Sequence, residues 1–78
     1  MSKWRIKLTS TITIGLFADM ARSLRRNIPA FFDLRHAKAL IDLAYSETGC
    51  VINDDDFALE VAAALEAGGG KVTLIGGP

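Results

Sequence analysis

The stretch DDDFALEVAAALEAGGGKVTLI, residues 54–75, predicts a helix, a glycine stop and a strand in direct succession. Asn53 or Asp54 is suited to cap the helix, because its side chain can accept a free amide of the first turn. Three glycines then tolerate the left-handed conformation that ends a helix. Residues 71–75 are predicted to be a strand, and residues 76–78 a loose tail. The expected buried helix face comprises Phe57, Ala58, Val61, Ala62 and Leu65.

Two elements are predicted directly before this stretch. Residues 50–52 are a short β-prone run, and Gly49 is expected to stop the helix that precedes it. Asp33 is a suitable N-cap for that helix. Its apolar side chains recur at helical spacing on one face. They are Leu34, Ala37, Leu40, Ile41, Ala44 and Tyr45.

A further helix is predicted from Ile14 onward. It must end by Asn27 or Ile28, because Pro29 has no amide hydrogen and disfavours a helical residue before it. Its apolar face is expected to hold Ile14, Phe17, Met20, Ala21, Leu24 and Ile28.

The N-terminal segment alternates apolar and polar residues and predicts a half-buried strand over residues 4–9. Ser10 and Thr11 follow it as turn or capping residues. The inward side chains are Trp4, Ile6 and Leu8, and the outward ones are Lys3, Arg5, Lys7 and Thr9.

The resulting order is β-α-α-β-α-β. We predict one domain over residues 1–78, because this length supports a single core. The fold class is α+β, a two-layer sandwich in which three helices cover one face of a three-stranded sheet.

The composition argues against an enzyme, a cofactor or a metal site. One cysteine, Cys50, cannot form an internal disulfide, and with one histidine, His36, it cannot complete a zinc site. No nucleophile–base pair or carboxylate dyad can be named, so we expect no catalytic residues. There is no run of 18 apolar residues and no signal-peptide pattern. We therefore expect a cytoplasmic protein without a membrane partner.

The charges are distributed unevenly although they sum to zero. Residues 1–38 hold eight basic and two acidic side chains, a net charge of +6, and residues 39–78 hold one basic and seven acidic ones, a net charge of −6. A neutral chain of this kind can still present a basic face to a partner.

Two segments carry a resemblance to a known family. Residues 34–41, LRHAKALI, are similar to the L-K-E-A-K-x-L-V helix of the C-terminal domain of the bacterial ribosomal stalk protein. Residues 64–74, ALEAGGGKVTL, are similar to that family's A-L-E-E-A-G-A-x-V-x-V segment. The chain thus resembles the stalk domain, which shares its fold with the Clp-protease adaptor ClpS. Residues 16–21 lack the lysine and arginine that the family carries on its first helix.

The resemblance implies a non-enzymatic adaptor that binds a translation factor, or another acidic protein, through its first two helices. By position, that surface would include Leu34, Arg35 and Lys38. Charge and expected exposure add Arg22, Arg25, Arg26, Phe31 and Phe32. The two phenylalanines are adjacent and cannot both point the same way, so either can be core or a binding anchor.

Two other functions stay open at the level of sequence. The basic N-terminal half could bind nucleic acid, with a strong dependence on salt. Alternatively, an open sheet edge, at residues 71–75 or at the strand of Cys50, could pair with a second copy as a homodimer or a self-assembling structural protein.

Overall fold

The computed structural model describes residues 3–77 and confirms the predicted order of elements. The chain forms an α+β domain in which three helices accompany a three-stranded sheet. In chain order the elements are β1 (Lys3–Leu8), α1 (Ile14–Asn27), α2 (Leu34–Tyr45), β2 (Cys50–Ile52), α3 (Asp55–Ala67) and β3 (Val72–Gly77).

The sheet has the order β2-β1-β3, and both pairings of the central strand β1 are antiparallel. Arg5 lies opposite Val51 on one side and Ile75 on the other. Since side chains alternate along each strand, these three residues share one face, and all three are exposed. Ile6 and its neighbours occupy the opposite face, beneath the helices. The sheet is therefore covered on one side only.

The helices begin at side-chain caps, as the sequence predicts for two of them. Asp33 caps α2 and Asp54 caps α3, each accepting a backbone amide of the first turn. The cap of α1 is Thr13, whose hydroxyl accepts the Leu16 amide at 3.1 Å. Of the two roles expected for Ser10 and Thr11, turn or cap, the cap is therefore wrong, and Ser10 lies in a bend. Ser10 instead accepts the amide of Lys71 and ties the end of β1 to the start of β3.

One apolar cluster holds the layers together. Helix α1 packs against both other helices, α2 packs against β1 and β2, and α3 contacts all three strands. A buried polar contact joins α1 to α3, where the Ser23 hydroxyl donates to the Ala64 carbonyl at 2.6 Å. The largest fully buried side chains are Ile6, Met20, Leu24, Ile41, Val61 and Leu65.

Three predictions about element ends are wrong. Ile14 is 92% exposed, because it is the first residue of α1 and lies beyond the surface that its neighbours cover. Gly49 does not stop α2, which ends at Tyr45 with Ser46 as its C-cap. Gly76 and Gly77 are the end of β3, paired with Trp4 and Lys3. Their φ angles of +93° and +106° suit glycine, so a strand continues where a tail was expected.

Candidate partner-binding surface

The basic side chains of α1 lie together on its solvent side. Arg22, Arg25 and Arg26 are exposed and line one shallow recess of about 240 Å³. Arg22 donates to Asp19 at 2.6 Å. Within residues 3–77, Arg25 and Arg26 have no carboxylate within ion-pair distance. Their position in the last turn of α1 is favourable, since the helix dipole is negative there. Of the three arginines of α1, these two are therefore the ones available to an acidic partner.

The adjacent phenylalanines of the α1–α2 connection divide between core and surface. Phe31 is 6% exposed, and its ring stacks on that of Phe57 with 6.0 Å between centroids. Placing Phe31 on a binding surface is therefore wrong, because its ring is committed to packing against α3. Phe32 points the other way and is 74% exposed. Its ring meets the His36 ring edge-on at 4.6 Å, so the two rings form an exposed aromatic pair.

Arg35 is exposed, but it forms an ion pair with Asp33. Its Nε and Nη2 atoms donate to Asp33 Oδ2 at 3.2 and 2.9 Å, while its backbone amide donates to Asp33 Oδ1 at 2.8 Å. These side-chain and backbone hydrogen bonds lower the pKa of Asp33 to about 2. The same contact raises the pKa of Arg35. Arg35 therefore brings little net charge to a partner, because its carboxylate accompanies it.

The remaining candidates lie on α2. Leu34 is at the margin of exposure, with 36% of its surface accessible, and Lys38 is exposed without an ion-pair partner in residues 3–77. Leu43, on the same helix, is 54% exposed and was not singled out from the sequence. Its only signal is that it falls outside the helical apolar stripe.

The structure thus assembles two small groups rather than one evenly basic patch. Arg22, Arg25 and Arg26 share a recess on α1, and Phe32 with His36 stands at the start of α2 beside the Asp33–Arg35 pair. The C-terminal end of α1 leads into the connection that carries Phe32. We refer to these two groups together with Leu34 and Lys38 as the helix surface.

The strands contribute a second exposed region, of which the sequence indicated only the basic residues. The outward side chains of the strands form what we call the outer sheet face. Arg5 lies at its centre between Val51 and Ile75, which are 46% and 50% exposed, and a shallow cavity of about 200 Å³ surrounds it. The sequence indicated the basic residues but not their apolar neighbours, because these come from strands 46 and 70 residues further along the chain. The members are Lys3, Arg5, Lys7, Val51, Thr73 and Ile75.

The acidic run at the start of α3 has a structural role. Asp54 caps the helix, and Asp55 accepts the indole Nε1–H of Trp4 at 2.6 Å. Within residues 3–77, no three His, Cys, Asp or Glu side chains cluster as metal ligands. Burial raises the pKa of the Cys50 thiol, which keeps it protonated and a poor nucleophile.

Every helix within residues 3–77 is too short or too polar to cross a lipid bilayer. Comparisons of the chain with protein-family models, with curated proteins and with solved structures found no match.

Proposed function

We propose that this protein is a non-enzymatic interaction module that binds an acidic protein through its helix surface. The observation that carries the proposal is Phe32, a large aromatic side chain that is 74% exposed beside a connection already fixed by the buried Phe31. An exposed ring on a rigid support is typical of a binding anchor, since it loses little conformational entropy when a partner covers it.

Charge supports an acidic partner. Arg25 and Arg26 lie in the last turn of α1, which leads into the connection that carries Phe32, and no carboxylate among residues 3–77 is within ion-pair distance of them. Lys38 adds a cation on α2. Such groups at the rim of an interface accelerate encounter and exclude basic partners more than they add affinity. The apolar ring would supply binding energy, and the cations would supply orientation. The resemblance to the ribosomal stalk domain favours a translation factor as this partner.

The arrangement of cations favours this function over nucleic-acid binding. The basic residues of the N-terminal half separate into two regions, with Lys3 and Arg5 on the outer sheet face and Arg25 and Arg26 on the helical side. The two groups therefore do not form one continuous basic surface. Affinity that depends on neutralising many phosphates needs a continuous basic track.

Capture from a bacterial lysate, with and without nuclease treatment, tests the proposal. The wild-type protein is compared with Phe32→Ser and with Arg25→Glu/Lys38→Glu. Loss of a central aromatic anchor typically costs about 2 kcal/mol, or about thirtyfold in affinity. We therefore expect the same partner protein to be depleted in both variants.

Two matched controls separate this result from general effects. Ile14→Ser removes another exposed apolar side chain at the far end of α1, about 20 Å along the helix. Arg5→Glu/Lys71→Glu makes the same change in net charge on the other side of the molecule. Both controls should retain the partner. A partner retained by folded Phe32→Ser would overturn the proposal, and capture that disappears with nuclease would assign the function to nucleic acid.

A further inference from the structure

Helix α3 presents a stripe of acidic residues to solvent, and this stripe forms no ion pair within residues 3–77. Its outward residues follow the helical spacing of three and four, so they lie along one line. The stripe holds three of the four carboxylates of α3, and within residues 3–77 none of the three is within ion-pair distance of a basic group. The centre of the stripe is apolar, because Leu59 is 51% exposed. We call this set the α3 stripe: Asp56, Leu59, Glu60, Ala63 and Glu66.

The outer sheet face is the electrostatic opposite of this stripe. The three strands contain no aspartate or glutamate, and Lys3, Arg5 and Lys7 all project from the central one. Lys71, one residue before β3, adds a fourth cation on the same side by the two-residue period. Two apolar side chains, Val51 and Ile75, flank Arg5 at the centre of this face.

The two surfaces match in size. Thirteen helical residues span about 20 Å, and the six-residue strands β1 and β3 span about the same length. A helix about 10 Å in diameter covers a sheet of three strands, which are about 5 Å apart. The uncovered face of this sheet can therefore accommodate one helix of the length of α3.

We propose that the α3 stripe of one copy docks on the outer sheet face of a second copy. In this arrangement Leu59 lies among Val51, Arg5 and Ile75 at the centre of the face, and the carboxylates of the stripe face Arg5 and the surrounding lysines. The two surfaces are different and lie on different sides of the molecule, so the contact is head-to-tail. A pair of copies retains one free α3 stripe and one free outer sheet face, so assembly continues into a chain or closes into a ring.

The same face is less suited to nucleic acid. The strands hold one aromatic side chain among residues 3–77, and that residue, Trp4, belongs to the helical side, where its indole is bonded to Asp55. Single-stranded nucleic acid is generally held by bases stacked on exposed aromatic rings. Half-exposed Val51 and Ile75 offer no such platform, but they are aliphatic like Leu59.

Sedimentation velocity and light scattering over a range of protein concentrations test the proposal. At low ionic strength, where the Debye length is about 30 Å, the mass of the wild-type protein should rise with concentration. In about 1 M salt, where that length is about 3 Å, it should approach the monomer mass. Arg5→Glu/Lys71→Glu and Glu60→Lys/Glu66→Lys should each weaken self-association by about tenfold or more, because like charges then face each other.

The design contains its own controls. Arg25→Glu/Lys38→Glu has the same net charge as the sheet variant and should still associate. An equimolar mixture of the sheet variant with the α3 variant should regain the mass of the wild-type protein, because each variant then meets an opposite charge on both of its surfaces. That recovery also shows that both variants are folded.

Three outcomes would overturn the proposal. The first is a wild-type protein that stays monomeric at low ionic strength at every concentration reached. The second is association that survives both charge reversals and about 1 M salt, which would assign it to pairing at the free edge of β3. The third is a monomer that binds a single-stranded oligonucleotide through Arg5 and Lys71.

Discussion

At the scale of the residue, Asp33 links the stability of the protein to pH. Its pKa of about 2 lies below the ordinary carboxyl value of 3.8, because Arg35 donates side-chain and backbone hydrogen bonds to it. A carboxyl with a lowered folded-state pKa stabilises the fold fully above its unfolded value, and this contribution is lost as the pH falls through the folded value. The loss therefore lies between about pH 4 and about pH 2.

Asp33→Asn tests this linkage, since asparagine retains the capping oxygen but does not titrate. We expect the difference in unfolding free energy between wild type and variant to be constant above about pH 5 and to shrink toward pH 2. Urea titrations at several pH values measure it. The other carboxyls titrate in both proteins and cancel in the difference. A difference that does not change with pH would contradict the role assigned to the Asp33–Arg35 pair.

Single residues also show where sequence reasoning stops. The two rings of the FF pair at 31–32 were expected to point in different directions, but the pattern cannot say which of them, if either, is exposed. That choice depends on Phe57, which stacks on Phe31 from a helix 26 residues further along the chain. The ion pair between Arg35 and Asp33 was not predicted either, because the capping carboxylate was expected to accept only backbone amides.

At the scale of the element, the close approach of α1 to the end of α3 depends on Gly68. A Cβ atom at this position would lie 2.6 Å from Met20 Cα and 2.9 Å from the Asp19 carbonyl oxygen. Both are backbone atoms, so no side-chain rotation can relieve the overlap. Gly68→Ala must push the two helices apart, and we expect a loss of about 1–3 kcal/mol in unfolding free energy.

Gly15→Ala is the matched control for this prediction. Position 15 is in the first turn of α1, and a Cβ there would meet nothing within 4 Å. Because alanine favours the helix, this change should leave the free energy of unfolding unchanged or raise it by up to about 1 kcal/mol. Urea titration of both variants decides the matter. An equal effect of the two substitutions would show that helix propensity, and not packing against Met20, governs position 68.

The elements themselves were largely predictable, and their ends were not. Apolar periodicity predicted the three helices and the first strand, because a 14-residue helix repeats its pattern several times. The other two strands were predicted from short runs of β-prone residues. The end of β3 has no such pattern. Gly76 and Gly77 look like a tail until Lys3 and Trp4 pair with them. Hydrogen bonds between residues far apart in the chain decide where these elements end, so the local sequence cannot predict the ends.

At the scale of the whole molecule, folding rearranges the charges that the sequence separates into halves. The basic N-terminal half is divided between the outer sheet face and the helical side, while four of the seven acidic residues of the C-terminal half gather on α3. The sequence therefore indicated a basic half and an acidic half, but not the surfaces on which these charges lie. The candidate site was predictable only as a set of residues, and their grouping required the tertiary structure.

The core is shared by every element, so the molecule should unfold as one unit. Residues of β1, α1, α2, β2 and α3 form one buried cluster, and half-buried Val72 and Leu74 of β3 pack against it, with no second core among residues 3–77. A chain of 78 residues with one core is expected to unfold in a two-state transition with an enthalpy of about 55 kcal/mol.

Trp4 makes this prediction measurable, because the protein has one tryptophan and its indole joins β1 to α3 through Asp55. Its fluorescence reports the sheet–helix contact, and far-ultraviolet circular dichroism reports the helices. In about 1 M salt, where association between copies is screened, the two signals should give the same midpoint temperature. A fluorescence change that precedes the loss of helix would mean that the paired ends of β1 and β3 open separately, and the single core would not then govern the whole chain.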